Sequence, residues 1–330
     1  MQSAKCLLPG HPDKVCDLVV EAIIDEYLKR DPETRIQIHA MGGRGALFIA
    51  GDVKSKADFD VSSLVRRTLG TLSVMCEVEP FISIEPVGSE QSQLFSNGPG
   101  APVAVSAYAT SETEEMLPPT VATARRVAAL LDEKRQNDEN WFWLGPDGEV
   151  MSERLNNDLN AISIRVEHGS LALEEARKKI ISAVNECISG STDVLVNESG
   201  PCEMRGLAER MGASGKDVLP YGFALPAVYL GVGLDPKRPE KGGAWLARQA
   251  ARALVKRGAK AVLVQAVYLP GEFTPSVVQA RDERGRDVSK DVDRKKLSLE
   301  RIALEWWRPN LNFDAARLGF AGGAGMPWEE

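Results

Sequence analysis

The architecture of this chain is announced by Gly10-His11-Pro12-Asp13-Lys14-Val15-Cys16-Asp17. This stretch opens the run 11–30, HPDKVCDLVVEAIIDEYLKR, in which Val15, Leu18, Val19, Ala22, Ile23, Ile24, Tyr27 and Leu28 recur at helical spacing. Asp13 stands where a carboxylate can cap the first turn. An imidazole, a carboxylate and an ammonium therefore gather at a helix entry. Free N–H groups and the positive end of the helix dipole favour anions there. Taken alone, the same string also fits a capped helix start with solvated charges.

Moving outward, RDPET breaks the helix. RIQIHAM and ALFIAGDV read as strands joined by the glycine-rich GGRG, followed by a helix, FDVSSLVRRTLGTL, and an alternating strand, EPFISIEPV. Helix, strand, strand, helix, strand is the order of a compact α+β unit. Similar alternations recur. A long helix starts near Pro118 or Pro119, where a missing N–H costs nothing. AISIRVEH is a strand, LALEEARKKIISAVNECI an amphipathic helix, KGGAWLARQAARALVKRG a helix ending at Gly258, and AKAVLVQAVYL a buried strand. The order appears about three times without a residue-level repeat, so we expect three related units. Their expected spans are 1–91, 100–205 and 206–330. Segment 88–102, rich in Ser, Gly, Pro and Gln, reads as a loop or boundary. The charged segment 281–298 reads as a solvated hairpin or loop.

The chain has 330 residues, 43% hydrophobic and 26% charged, with a net charge of −7. This composition is globular and too acidic for a nucleic-acid or anionic-membrane partner. No apolar run is long enough for a membrane span, and the first residues lack a signal core, so we expect a cytoplasmic protein. Cys6, Cys16, Cys76, Cys187 and Cys202 form no CxxC pair and are expected to be reduced, and a zinc site is not expected. Trp306, Trp307 and Trp328 are expected to close the C-terminal core.

GHPDK-x-C-D before a helix, then DP-x-x-R and a strand, resembles the opening of S-adenosylmethionine synthetases (methionine adenosyltransferases). AYATSETEEMLPP, the Arg125–Arg126 helix, WLGPDGEV, VNESGP and the terminal MPWEE are similar to later motifs of that family. The resemblance spans nearly the whole chain. It implies three similar α+β domains with pseudo-threefold symmetry, assembled as a homodimer or homotetramer with sites between subunits. It implies a reaction in which methionine sulfur attacks C5′ of ATP, with triphosphate released and hydrolysed, using Mg2+ and K+.

Displacing triphosphate requires preorganised cations, each worth on the order of 10²–10³ in rate. Residue by residue, His11 matches a histidine at the leaving phosphate and Asp13 a Mg2+-binding aspartate. Lys237 and Lys241 match two lysines of the cationic cage. Lys216 stands for an arginine, keeping charge but losing the bidentate fork. Asp147 matches an aspartate near the ribose.

The departures are heavy. Ala101-Pro102-Val103 stands where the family has GDQG. Glu149 replaces a lysine, Arg210 an aspartate that holds the substrate ammonium, and Asp217 a catalytic lysine. Gly243 replaces the second Mg2+ aspartate, and His39 the glutamate of the K+ site, so K+ is not expected. On the methionine side, Asp52 stands for a glutamate and Glu90 for a glutamine, and the gate segment near Ser92–Pro99 is short. An arginine facing an ammonium is repulsive. Arg210, Arg205 and Arg165 are expected to face an anionic group instead. Three functions stay open: a remodelled pocket for ATP, S-adenosylmethionine or a related ligand, running an altered transferase or hydrolase-type reaction; the parent methionine adenosyltransferase reaction; and a non-catalytic subunit in a hetero-oligomer with an active synthetase.

Overall fold

The helix read over 11–30 forms as α1, Pro12–Arg30. His11 caps it, its Nδ1 accepting the Asp13 N–H at 3.3 Å. The computed structural model describes residues 2–73, 77–87, 99–155, 158–188, 192–203, 205–216 and 231–330. Glu90, Asp217, Cys76 and residues 92–98 of the gate segment lie outside them. Within α1, 14 of the residues are buried, including Lys14, Asp17, Glu21 and Asp25. A helix covered on nearly every side belongs in the middle of a fold, not on its surface.

Two of the three sheets are built by one recipe, and the third by a shorter version without the parallel strand. In the first, β2 (Arg35–Gly43) and β3 (Ala46–Lys54) pair antiparallel. Their two-residue connection, Arg44 and Gly45, has both residues at positive φ, as a type I′ turn requires. After α2 (Val61–Thr71), β4 (Glu79–Pro86) adds parallel to β3, and β9 (Gly212–Ala213) adds antiparallel to β2. In the second, α3 (Pro119–Asn137) precedes β6 (Gly148–Leu155) and β7 (Asp158–Val166), an antiparallel pair. After α4 (Leu173–Cys187), β8 (Asp193–Val196) adds parallel to β7, and β1 (Gln2–Leu7) antiparallel to β6. In the third, α5 (Ala244–Lys256) precedes the antiparallel pair β10 (Ala261–Tyr268) and β11 (Val277–Asp282), and β5 (Val103–Thr110) adds antiparallel to β10. Each sheet thus takes one antiparallel strand from a distant part of the chain. The fold is α+β, and the helix–strand–strand order recurs as read. The segments 1–91, 100–205 and 206–330 exchange strands: β1, β5 and β9 each pair outside their own segment.

Four acids of α1, three of them buried and Asp13 half-buried, fix where distant segments of the chain go. Asp13, Asp17, Glu21 and Asp25 are spaced by four, so they share one face of the helix. Each accepts a backbone N–H from far away in sequence. Ala213 donates to Asp13 at 2.9 Å, Gly215 to Asp17 at 2.8 Å and Gly233 to Glu21 at 2.9 Å. Asp25 accepts the N–H groups of Asn312 (3.1 Å) and Phe313 (2.9 Å), and the Asn312 amide at 2.8 Å. Like charges at this spacing repel, and these donors offset that repulsion together with two cations. Lys241 Nζ lies 2.5 Å from Glu21, and Lys14 Nζ 3.6 Å from Asp17. Burial pushes the Glu21 carboxyl up, and contact with Lys241 pulls it back down.

A second hub closes the C-terminal end. Arg248 of α5 is fully buried and grips both oxygens of Glu329, at 2.9 and 3.0 Å. Its remaining protons go to the carbonyls of Tyr108, Glu115 and Met116 at 2.6–2.9 Å. Trp328 stacks on Trp245, centroids 4.2 Å apart, with Trp306 tilted at 6.1 Å. Trp307 does not join them: it is 42% exposed, because its neighbour Trp306 already takes the inward direction. The charged segment 281–298 is a largely exposed run of turns.

Replacing Asp25 with alanine leaves three buried N–H groups without their acceptor. Urea denaturation should show a loss of about 2–4 kcal/mol, and an unchanged midpoint would refute the role given to this acid.

Candidate functional site

The start of α1 is where the sequence-derived candidates converge. The chain before the helix is tied to the turn 146–148: Leu8 N–H donates to Gly148 O, and Gly10 N–H to Pro146 O, both at 2.9 Å. This sets Asp147 beside His11. On the other side, β9 carries Ala213 to Asp13 Oδ1, and Lys216 Nζ lies 3.9 Å from the same oxygen. Asp13 Oδ2 is 3.9 Å from His11 Nδ1.

His11 is largely covered. Burial lowers its pKa first; Asp147 pushes it up again, and Arg210 pushes it down. The ring is therefore neutral at pH 7. Because Nδ1 accepts the Asp13 N–H, the ring proton sits on Nε2, which makes Nε2–H a donor for a ligand oxygen.

Asp147 has no exposed surface. It accepts the Gly206 N–H at 3.0 Å, and Arg210 Nη2 lies 2.5 Å from both of its oxygens. The arginine expected to face an anionic ligand thus already holds a carboxylate of the protein. Its Nε, also buried, has no hydrogen-bond partner among the described residues. Arg205 pairs loosely with Glu209 at 3.6 Å, and Arg165 lies on the exposed side of β7. Glu149, expected to reverse the pocket's charge, lies 3.4 Å from Lys5.

The other candidates lie elsewhere. Lys241 is fully buried between Glu21 Oε2 and Asn312 Oδ1, the latter at 3.1 Å. Glu21 is ten residues beyond His11, about 15 Å along a helix axis. Lys237 Nζ reaches Glu33, beyond the end of α1, at 3.1 Å. Asp52 is exposed on β3 opposite Gln37, and His39 is exposed on β2. Gly243 has a steric reason: a Cβ there would come within 2.8 Å of the Tyr268 ring, so a carboxylate at this position has no room.

One residue of the site escapes the motif-based reading. Glu167 follows β7 directly, and its charge is felt by Asp147, Arg205 and Glu209. Burial and the Asp147 charge push its carboxyl up to about 7. The only trace in the sequence is a carboxylate at the exit of an alternating strand.

These features define an α+β protein with an anion-favouring helix entry, lined by a histidine and paired charges. A family model for the N-terminal domain of S-adenosylmethionine synthetase matches residues 2–80. The S-adenosylmethionine synthase of Aquifex aeolicus (strain VF5) is 24% identical, covering 100% of this chain and 96% of that protein. That of Brachyspira hyodysenteriae (strain ATCC 49526 / WA1) is 27% identical, covering 92% of this chain and 90% of that protein. A solved structure described as an unusual S-adenosylmethionine synthetase from Campylobacter jejuni superposes with a TM-score of 0.82 at 20% identity, covering 99% of this chain and 96% of that one. The chain is similar to S-adenosylmethionine synthetases over nearly its whole length and diverges from them widely in sequence.

Removing Arg210 leaves the buried Asp147 with a single donor. Arg210→Ala should lower stability by about 1–3 kcal/mol, below the 3–5 typical of a fully buried pair because the arginine is 32% exposed. Asp147→Asn in the same chain should recover part of the loss. Denaturation curves of the three variants check this, and additive losses in the double variant would contradict it.

Proposed function

We propose that the chain binds a nucleotide or an S-adenosyl compound at the start of α1 and runs an altered transferase or hydrolase-type reaction on it. The observation that carries this is Arg210 on Asp147. The resemblance puts the substrate ammonium at one of these positions and the ribose at the other, and both groups are spent on each other. Methionine in the family's usual pose would meet a guanidinium in place of a carboxylate. What favours a retained ligand is the neutral His11 with Nε2–H, Asp13 with one carboxylate oxygen not hydrogen-bonded, and Lys216 beside it.

Mg2+ is bound by one or two carboxylates, phosphate oxygens and water. Asp13 meets that minimum for an ion carried in by a phosphorylated ligand, and the ion would neutralise phosphate charge. Gly243 and its Tyr268 neighbour leave no second carboxylate. The reading therefore needs only one protein-held contact to magnesium. Lys237 and Lys241 act in this reading by holding Glu33 and Glu21 in place, with no direct share in the leaving group.

The parent reaction is the second reading. It is favoured by relatives named as synthases that match over nearly their whole length. Incubation with ATP, methionine and Mg2+, followed by chromatography for S-adenosylmethionine and assay of phosphate, separates the readings. We expect a thermal shift with ATP or S-adenosylmethionine and no S-adenosylmethionine formed; a hundredfold excess over Kd gives about 2.7 kcal/mol. S-adenosylmethionine formation would establish the parent reaction. No shift with either ligand, together with co-purification of an active synthetase, would make the chain a non-catalytic subunit.

We further infer a cytoplasmic homodimer that uses the outer face of the β2–β4 sheet. Phe48 and Phe81 stack there with centroids 4.9 Å apart and are about half exposed, with Met41 and Met211 beside them. Exposed apolar patches of this kind mark interaction surfaces. Phe81→Lys should shift the mass measured by light scattering from dimer to monomer. A wild-type monomer at the same concentration would remove the inference.

A further inference from the structure

Five carboxylates lie around the start of α1 and the 145–147 turn: Asp13, Asp147, Glu149, Glu167 and Glu209. Four have partners: the Ala213 N–H, Arg210, Lys5 and Arg205, respectively. Among the described residues, Glu167 alone of the five has neither a hydrogen bond nor an ion pair on its side chain. Yet its position is fixed. Its N–H donates to Asp147 O at 3.1 Å, and its carbonyl accepts the Gly145 N–H at 2.9 Å, so its backbone clasps the 145–147 turn. Its carboxylate lies directly over Gly145, where an added Cβ would sit 2.2 Å from Oε2. The glycine is what gives the carboxylate its seat.

The surroundings of this seat are mixed. Asp147 on the turn and Glu209 on the 205–209 turn oppose a negative charge, and Arg205 favours it. The neighbouring His168 is committed at both nitrogens: Nδ1 to Leu171 O at 2.8 Å, and Nε2 to the Cys202 N–H at 3.2 Å. It offers Glu167 nothing. A half-buried carboxyl without a partner is an incomplete arrangement, and a donor from outside the chain would complete it.

We propose that Glu167 contacts the ligand directly, its carboxyl receiving a hydroxyl or ammonium donor of the bound molecule and losing its proton to solvent on binding. This rests on the pocket taking a nucleotide or S-adenosyl ligand, and it names the residue that reads the ligand's donor group. With Asp147 already filled by Arg210, Glu167 is the pocket carboxylate open to that role. Its pKa stands near 7, so about half the ligand-free molecules carry the proton at pH 7. A donor on the carboxyl favours the ionised form. Affinity should therefore rise with pH through 7 and level off above it. The sign for stability is opposite: the folded state holds this proton above the ordinary value of 4.5, so the site weakens the fold progressively from 4.5 to about 7.

Calorimetric titration at pH 7 in two buffers of different ionisation heat counts the protons released. The probes are S-adenosylmethionine, which carries ribose hydroxyls and an ammonium, and ATP, which carries the hydroxyls alone. Wild type should release about half a proton more than Glu167→Gln. An excess with both probes assigns the contact to a hydroxyl, and an excess with S-adenosylmethionine alone assigns it to the ammonium. Gly145→Ala, which fills the seat of the carboxylate, should abolish the excess as Glu167→Gln does. Equal release by wild type and Glu167→Gln, with binding intact, overturns the proposal and leaves the pocket reading standing. Failure of wild type to bind either probe overturns both.

Discussion

The structure depends on one row of carboxylates, three of them buried and the first, Asp13, half-buried. Asp13, Asp17, Glu21 and Asp25 lie along a single face of α1, and a carboxylate removed from water must be given donors. The donors come from Ala213, Gly215, Gly233, Asn312 and Phe313. Distant segments, namely β9, the turns at Gly215 and Gly233 and the helical turn at 312–313, are thereby assigned to successive turns of one helix. The constraint works in both directions. The acids tolerate burial because the segments supply N–H groups, and the segments hold their course because the acids accept them. Lys14 and Lys241 complete the charge balance from within.

The same economy of charge shapes the pocket. A site that holds polyphosphate would keep cations free to meet it. Here most charges at the mouth are balanced by neighbours: Arg210 by Asp147, Glu149 by Lys5, and Arg205 by Glu209. Internal pairing lowers the net field a ligand meets and raises the weight of groups left unpaired. Those are the His11 Nε2–H, one oxygen of Asp13, and Glu167. A pocket recognised through a few neutral or titrating groups differs from one that works by massed positive charge, and it suits a ligand with hydroxyls and a polar headgroup.

Three sheets, each completed by an antiparallel strand from elsewhere, make the molecule hard to separate into pieces. β1, β5 and β9 stitch the units together. Arg248 adds a further stitch. It joins the loop after β5, through the carbonyls of Glu115 and Met116, to Glu329 near the end of the chain. Two motifs about two hundred residues apart thus share one buried guanidinium, whose five donors let a single side chain satisfy several acceptors.

Local physics was enough for the five long helices and for β2, β3, β4, β7 and β10, whereas β1, β5, β6, β8, β9 and β11 were not read as strands from the sequence. The 3.6-residue period of 11–30, the period-2 strands, the proline at Pro119 and the repeated order of helix and strand are all properties of neighbouring residues, and each emerged where the sequence placed it. The motif at Gly10–Asp17 likewise marked the entry of α1 and carried the resemblance to S-adenosylmethionine synthetases. Partnership was a different matter. Nothing near Lys241 in the sequence says that Glu21 lies against it, nor does the neighbourhood of Arg210 reveal Asp147. Glu167 could be valued only once Gly145, Asp147 and Glu209 stood around it. Whether a charge is a solvated surface group, half of a buried pair or an open ligand contact depends on which distant groups share its low-dielectric surroundings. That was decided by the tertiary structure alone, because pairing energies act through space between residues the chain brings together only when it folds.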